Sequence, residues 1–180
     1  MMKSYLYRVG VTAIAMMTSL TIFPSLVKAQ ETRSQALVPL ELYWSADRGD
    51  NFTTATPQGK NSAIEAGYTF ARVEGCVFRR QQQGTVPLKL YWSAQRGDNF
   101  TTATRIGARS AIEAGYTYAR VEGYVFPTQQ PGTVPLQLYW SAQRGDNFTT
   151  ATRIGASSAI EAGYTYARVE GYVFPASQCQ

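Results

Sequence analysis

Residues 88–126 read LKLYWSAQRGDNFTTATRIGARSAIEAGYTYARVEGYVF, and the same stretch stands, with few changes, at 40–78 and 136–174. Counted from the Val-Pro before each, the copies begin at Val38, Val86 and Val134, a period of 48 residues. A period of that length makes each copy one supersecondary unit, and it decides the architecture before any local reading does. It also means that whatever chemistry the chain carries, it carries three times.

Within the second copy, Leu88, Leu90 and Trp92 alternate with Lys89, Tyr91 and Ser93, the period of a half-buried strand. The alternation assigns Trp to the core and Tyr outward. The segment 94–98 interrupts it, with Gly97 and Asp98 suited to a tight turn. A β-branched run at 100–104 makes a second strand and completes a hairpin. Residues 106–114 predict a short helix that Gly115 caps, and 116–126 is extended again, with Gly123 marking a bulge or break.

The connectors 79–85 (RRQQQGT) and 127–133 (PTQQPGT) are short and polar. A unit of 41 residues hardly buries a core by itself, so the units must pack together. The predicted fold is mainly β with one short helix per repeat, the repeats 38–78, 86–126 and 134–174 closing into a β-trefoil-like single domain over 38–180. An open stack of hairpins, or a shared sheet with three helices on one side, are the alternatives.

The first 29 residues read differently. Lys3 and Arg8 precede an apolar run from Val9 to about Leu26, and Val27-Lys28-Ala29 places permissive residues before Gln30. This predicts a signal peptide cleaved between Ala29 and Gln30, followed by a polar leader at 30–37, with export as the destination and no membrane span afterwards. A membrane anchor is the competing reading, but the run is short and interrupted for one. Residues 1–29 hold three of the seventeen basic residues and no acids, which leaves fourteen basic against twelve acidic residues. That balance does not suit a nucleic-acid partner. Two cysteines, Cys76 and Cys179, suggest one bridge in an exported chain. It would tie the C-terminal tail onto the first repeat. Unpaired thiols or a bond to another chain are the alternatives.

Each copy carries an aromatic residue, then Gly-Asp-Asn-Phe-Thr-Thr, then Ala-Ile-Glu-Ala-Gly-Tyr and an aromatic-rich strand; in the second copy these include Tyr91, Gly97, Asp98, Asn99, Phe100, Thr102, Ala111, Ala114, Gly115, Tyr116 and Tyr124. The pattern resembles a family of secreted repeat modules of unassigned function, whose units read G-D-H-F-Y-T-T followed by A-G-[YW]. Such modules often occur in threes and are often joined to exported hydrolases. The resemblance covers 38–174 and brings no established active site. Asn51, Asn99 and Asn147 stand where that family commonly has His, and the chain has no His at all.

Several short motifs invite functional readings. Arg-Gly-Asp occurs at 48–50, 96–98 and 144–146, and is read as turn chemistry in preference to an adhesion tripeptide. Asn-Phe-Thr, at 51–53, 99–101 and 147–149, satisfies the glycosylation sequon but is read as part of the same hairpin. The oxygen-rich 47–51 stretch is too thinly charged in the later copies, where Gln95 and Gln143 replace Asp47, for a calcium loop. No metal and no cofactor are expected. Ser–His and Cys–His catalysis need a His the chain lacks. A carboxylate pair for glycoside hydrolysis needs one asymmetric cleft. Repeats two and three differ only at Lys89/Gln137 and Arg109/Ser157, so the copies offer no such asymmetry.

The expectation is therefore an exported, non-enzymatic, multivalent binding module, for glycan or cell-wall carbohydrate. The candidate ligand residues are Tyr43, Arg48, Asp50 and Asn51, with Tyr91, Arg96, Asp98 and Asn99, and Tyr139, Arg144, Asp146 and Asn147. A ring would stack on the sugar while guanidinium, carboxylate and amide bond its hydroxyls. A structural or protein-interaction module of the envelope or extracellular matrix is the alternative.

Overall fold

The computed structural model describes residues 37–179. Each repeat forms strand, strand, short helix, strand. Unit one holds β1 (Leu37–Ser45), β2 (Asp50–Thr54), α1 (Pro57–Glu65) and β3 (Thr69–Phe78). Unit two holds β4 (Val86–Ser93), β5 (Asp98–Thr102), α2 (Arg105–Glu113) and β6 (Thr117–Val125). Unit three holds β7 (Val134–Ser141), β8 (Asp146–Thr150), α3 (Arg153–Glu161) and β9 (Thr165–Val173), and a 3₁₀ turn at Ala176–Gln178 follows. The predicted signal peptide and nearly all of the leader lie outside the described residues.

The local chemistry produces these elements as expected. Gly97 takes φ +68° in the hairpin turn, a conformation that a side chain disfavours. Thr104 caps α2, its hydroxyl accepting from the Gly107 amide at 3.0 Å. Gly115, at φ +82°, ends that helix.

In each unit the first strand is central, flanked by the other two in antiparallel order. Units one and two join through β3 and β6 into a six-stranded sheet, ordered β2-β1-β3-β6-β4-β5. Unit three forms its own sheet, ordered β8-β7-β9. Single bridges, Cys76 with Phe174 and Phe126 with Tyr172, tie this second sheet to the first. The backbone ladder is thus two open sheets among the described residues, and a closed barrel of the trefoil kind is not what the strand pairing forms. What closes is the side-chain packing. Each unit leans on the one before it, and unit one leans on unit three.

Two β-bulges per unit shape that packing. In the β4–β6 pair, Leu88 faces Gly123 while Lys89 faces Val121, so Glu122 is the extra residue. Leu90 then faces Arg120 while Tyr91 faces Tyr118, so Ala119 is the second. A bulge re-aims the side chain it expels from the ladder. The expected irregularity at Gly123 is therefore at Glu122, and the glycine has a different task. A Cβ on Gly123 would sit 2.5 Å from Cγ2 of Val77 and 3.1 Å from the carbonyl oxygen of Phe78. Only a bare backbone lets unit two approach unit one this closely.

The core has a central part and three satellites. Leu40, Leu88 and Leu136 meet Val77, Val125 and Val173 centrally. Each satellite belongs to one unit and is completed by a leucine from the next. Tyr43, Phe52, Ala63 and Tyr68 take Leu90; Tyr91, Phe100, Ala111 and Tyr116 take Leu138; Tyr139, Phe148, Ala159 and Tyr164 take Leu42. No unit fills its own core, which is the physical reason that units of this size occur together.

Cys76 and Cys179 form the expected disulfide. It closes the chain beside Phe78, Phe126 and Phe174, whose rings meet edge to face with centroids 5.6–6.2 Å apart. Cys76 replaces the Tyr of the other copies, so the break in repeat symmetry marks the attachment of the tail. Reduction, or Cys179→Ser, is expected to lower unfolding stability by roughly 2–4 kcal/mol through the freed denatured chain. Urea unfolding with and without reductant measures this, and superimposable curves would refute it.

Candidate functional site

The hairpin turns that carry the sequence candidates lie at unit boundaries. Between units one and two is a cavity of ≈ 330 Å³. Its equivalents between units two and three and between three and one measure ≈ 280 and ≈ 290 Å³. Unit one gives the first cavity Arg48, Ser62 and Tyr68; unit two gives Trp92, Asn99 and Arg120. The same residue types recur as Arg96, Ser110, Tyr116, Trp140, Asn147 and Arg168, and again as Arg144, Ser158, Tyr164, Trp44, Asn51 and Arg72. Each cavity is therefore composite, and no single repeat contains one.

Each arginine lies over an aromatic ring. The Arg48 guanidinium lies 5.8 Å from the centre of the Tyr68 ring, and that of Arg120 lies 5.8 Å from the Phe52 ring, across the unit boundary. Stacking of this kind orients the cation at small entropic cost. Nε of Arg120 donates to Oε1 of Glu122 at 2.6 Å. Its Nη2 is buried and makes no hydrogen bond among the described residues, as in Arg72 and Arg168.

Behind the cavity floor the expelled glutamates do structural work. Glu122 is buried and accepts from the Thr54 hydroxyl (2.7 Å), the Ala55 amide (3.0 Å), and the amide and hydroxyl of Thr56 (3.2 and 2.9 Å). Thr56 is the N-cap of α1, so a carboxylate of unit two fixes a helix start in unit one. Glu170 does the same for Thr102 and Thr104, and Glu74 for Thr150 and Thr152. Along the strand, Arg72, Arg120 and Arg168 pair with Glu74, Glu122 and Glu170. Their larger role is this clamp between units.

At the turn end of the strands the aspartates of the three Gly-Asp pairs meet. Asp50, Asp98 and Asp146 are buried, with a carboxylate oxygen of each within 4.8 Å of the others. Each accepts from a tyrosine hydroxyl of its own unit (Tyr68, Tyr116, Tyr164) and from an asparagine of the next. Asn99 Nδ2 donates to Asp50 Oδ2 at 3.0 Å, Asn147 to Asp98 at 2.8 Å and Asn51 to Asp146 at 2.9 Å. Burial, then the charge of the neighbouring aspartates, holds the Asp98 carboxyl well above the usual carboxylate range and pushes Asp146 up to about 7. Tyr68, Tyr116 and Tyr164 are raised too, chiefly by burial and then by the aspartate each faces. Asp98 and Asp146, both raised and close together, titrate as a pair and not as independent groups. The three aspartates are also the residues that could offer oxygens to a cation, and the sequence reading assigned no metal here.

The candidate ligand residues thus divide. Arg48, Arg96 and Arg144, with Asn51, Asn99 and Asn147, line the cavities. Asp50, Asp98 and Asp146 are internal and do not bond a surface ligand. Tyr43, Tyr91 and Tyr139, expected outward, are buried in the satellite cores at 5, 4 and 4 % exposure, whereas Trp44, Trp92 and Trp140 are half-buried at the cavities. Alternation misassigned them because both faces of these strands are covered. Leu42 faces unit three while Tyr43 faces its own helix. The same burial tells against the adhesion reading, since the Asp of Arg-Gly-Asp is internal, and each sequon Asn already donates its Nδ2 to an aspartate of the preceding unit or, for Asn51, of unit three.

Residues 39–174, which span the three units, match a known sequence family, one described as a domain of unknown function, DUF5648. The chain belongs to the DUF5648 family. No curated protein and no solved structure matches it. What is specific to a DUF5648 chain must therefore be read from its own geometry. Arg72, Arg120 and Arg168 and the tryptophans are, with Tyr68, Ser62 and their equivalents, cavity residues that sequence reading missed. The arginines and tryptophans left a signal in the repetition of Arg-Val-Glu and Tyr-Trp in every copy. No helix among the described residues is long and apolar enough to cross a membrane, and the disulfide suits an oxidising compartment.

Proposed function

We propose that this DUF5648 chain is an exported, non-catalytic module that binds glycan through three composite cavities. The observation that carries the reading is one cavity repeated at every unit boundary, each with a tryptophan, a tyrosine ring, two guanidiniums and an asparagine. Flat rings beside hydrogen-bonding groups suit the apolar face and hydroxyls of a sugar. Volumes of about 300 Å³ sit at the small end of ligand cavities and match one or two sugar residues. Three equivalent sites on one rigid body favour a polymeric ligand, because the first contact raises the effective concentration for the next. No Asp or Glu lines the cavities, which supports binding in preference to acid–base hydrolysis. The cyclic order of unit contacts supports a trefoil-like description of the whole, and the disulfide supports export.

A glycan and polysaccharide binding screen tests this. The chain is expected to retain a polysaccharide, and a variant with Trp44→Ala, Trp92→Ala and Trp140→Ala is expected to lose it at least tenfold, since stacked aromatics carry much of such an interface. Unchanged retention would move the site elsewhere. One observation favours a protein partner instead. Ile64, Ile112 and Ile160 are 62–65 % exposed, and Phe70, Tyr118 and Tyr166 about half exposed, in equivalent places. Saturable binding to one protein, indifferent to the tryptophans, would favour that reading.

A further inference from the structure

We infer that the composite cavities select sugars bearing a carboxylate, a specificity that rests on the glycan reading above. Each cavity draws one guanidinium from either side of a unit boundary, Arg48 with Arg120, Arg96 with Arg168, and Arg144 with Arg72. Arg120 is balanced from behind by Glu122, as Arg168 is by Glu170 and Arg72 by Glu74. Arg48, Arg96 and Arg144 enter no salt bridge among the described residues. Every cavity therefore keeps one guanidinium with no carboxylate at salt-bridge distance, and no acid stands in its lining. The Asp50 carboxylate stands behind Asn99 and Tyr68, which bond it, and is not part of the lining.

A site built for neutral sugar would be expected to offer a carboxylate acceptor to paired hydroxyls. Here the lining instead offers donors. The donors are arginines, whose planar fork matches the two oxygens of a carboxylate better than a point charge does. The guanidiniums of Arg48 and Arg120 already lie over the Tyr68 and Phe52 rings, 5.8 Å from their centres, before any ligand arrives. Trp92 completes a wall for the sugar's apolar face. The same design recurs three times, at a spacing the rigid fold sets, so an acidic polysaccharide is the matching polymer.

The test measures binding of the purified full chain to polygalacturonate, hyaluronate and polysialic acid, each beside its carboxyl-reduced form, with dextran sulfate as a charge control. At least one acidic polymer is expected to bind about tenfold or more tightly than its reduced form, as the loss of a charge-assisted contact implies, and the preference is expected to shrink with added salt. Arg48→Gln, Arg96→Gln and Arg144→Gln together are expected to abolish the preference. These side chains are exposed, and an unchanged melting temperature confirms an intact fold. Equal binding of the reduced forms overturns carboxylate selection and leaves the glycan reading standing. Dextran sulfate binding as tightly as the best carboxylated polymer overturns it as well, since bare charge would then suffice. No binding to these polymers or to any member of the wider glycan screen overturns both readings.

Discussion

Replacing Glu122 by alanine is expected to cost about 3–5 kcal/mol of unfolding stability, the range for breaking a buried ionic pair from one side. One carboxylate there serves Arg120, two hydroxyls and two amides of the neighbouring unit. Its loss strands a cation against Phe52, leaves the Thr54 hydroxyl and the Ala55 amide without that acceptor, and loosens the N-cap of α1. Glu122→Gln keeps the volume and one acceptor but removes the charge, and is expected to cost clearly less than the alanine variant. Urea unfolding with the disulfide intact separates the two. If Glu122→Ala cost under 1 kcal/mol, the clamp between units would be a surface pair of ordinary worth. Because Glu74 and Glu170 occupy equivalent places, each single variant is expected to behave alike.

Stability is expected to fall as pH rises from about 4 to 8, the reverse of ordinary acid denaturation. The sign follows from the aspartate cluster. Asp146 is raised from 3.8 to about 7, and Asp98 is raised well above its ordinary value. Between those limits the native state holds protons that the unfolded chain releases, so the stability present below pH 4 drains away as the cluster ionises. A rise of about three pH units on one group corresponds to roughly 4 kcal/mol. Thermal melts at pH 4.5 and 8 check this, and a higher midpoint at pH 8 would refute the protonated cluster. Asp98→Asn removes one titrating member and is expected to flatten the slope. Above pH 10 the raised phenols of Tyr68, Tyr116 and Tyr164 add a further loss of the same sign.

Much of the local structure was open to reading in the chain itself. Hairpin, helix and closing strand follow from alternation, a β-branched run and two left-handed glycines, all of which depend on residues a few positions apart. The disulfide followed from an even cysteine count and from Cys76 standing where the other copies have Tyr. Half of the candidate site was also visible, since Arg48 and Asn99 and their equivalents do line the cavities. The tryptophans were placed on the wrong side because alternation assumes one wet face, and these strands have none where the next unit covers them.

The amino-acid sequence by itself determined the unit, its number and its elements, and it placed at Cys76 the departure from symmetry that anchors the tail. Only the tertiary structure decided which unit touches which. Three nearly identical copies present identical surfaces, so no local pattern tells Glu122 whether to clamp its own threonines or those of unit one, or Asp50 whether to bond its own amides or Asn99. Packing resolved this by sending Leu90, Glu122 and Asn99, and their equivalents in unit three, to the preceding unit and, from unit one, Leu42, Glu74 and Asn51 to unit three. The cavities exist only at those boundaries. The chemistry that the repeats share therefore belongs to their contacts and not to any single copy.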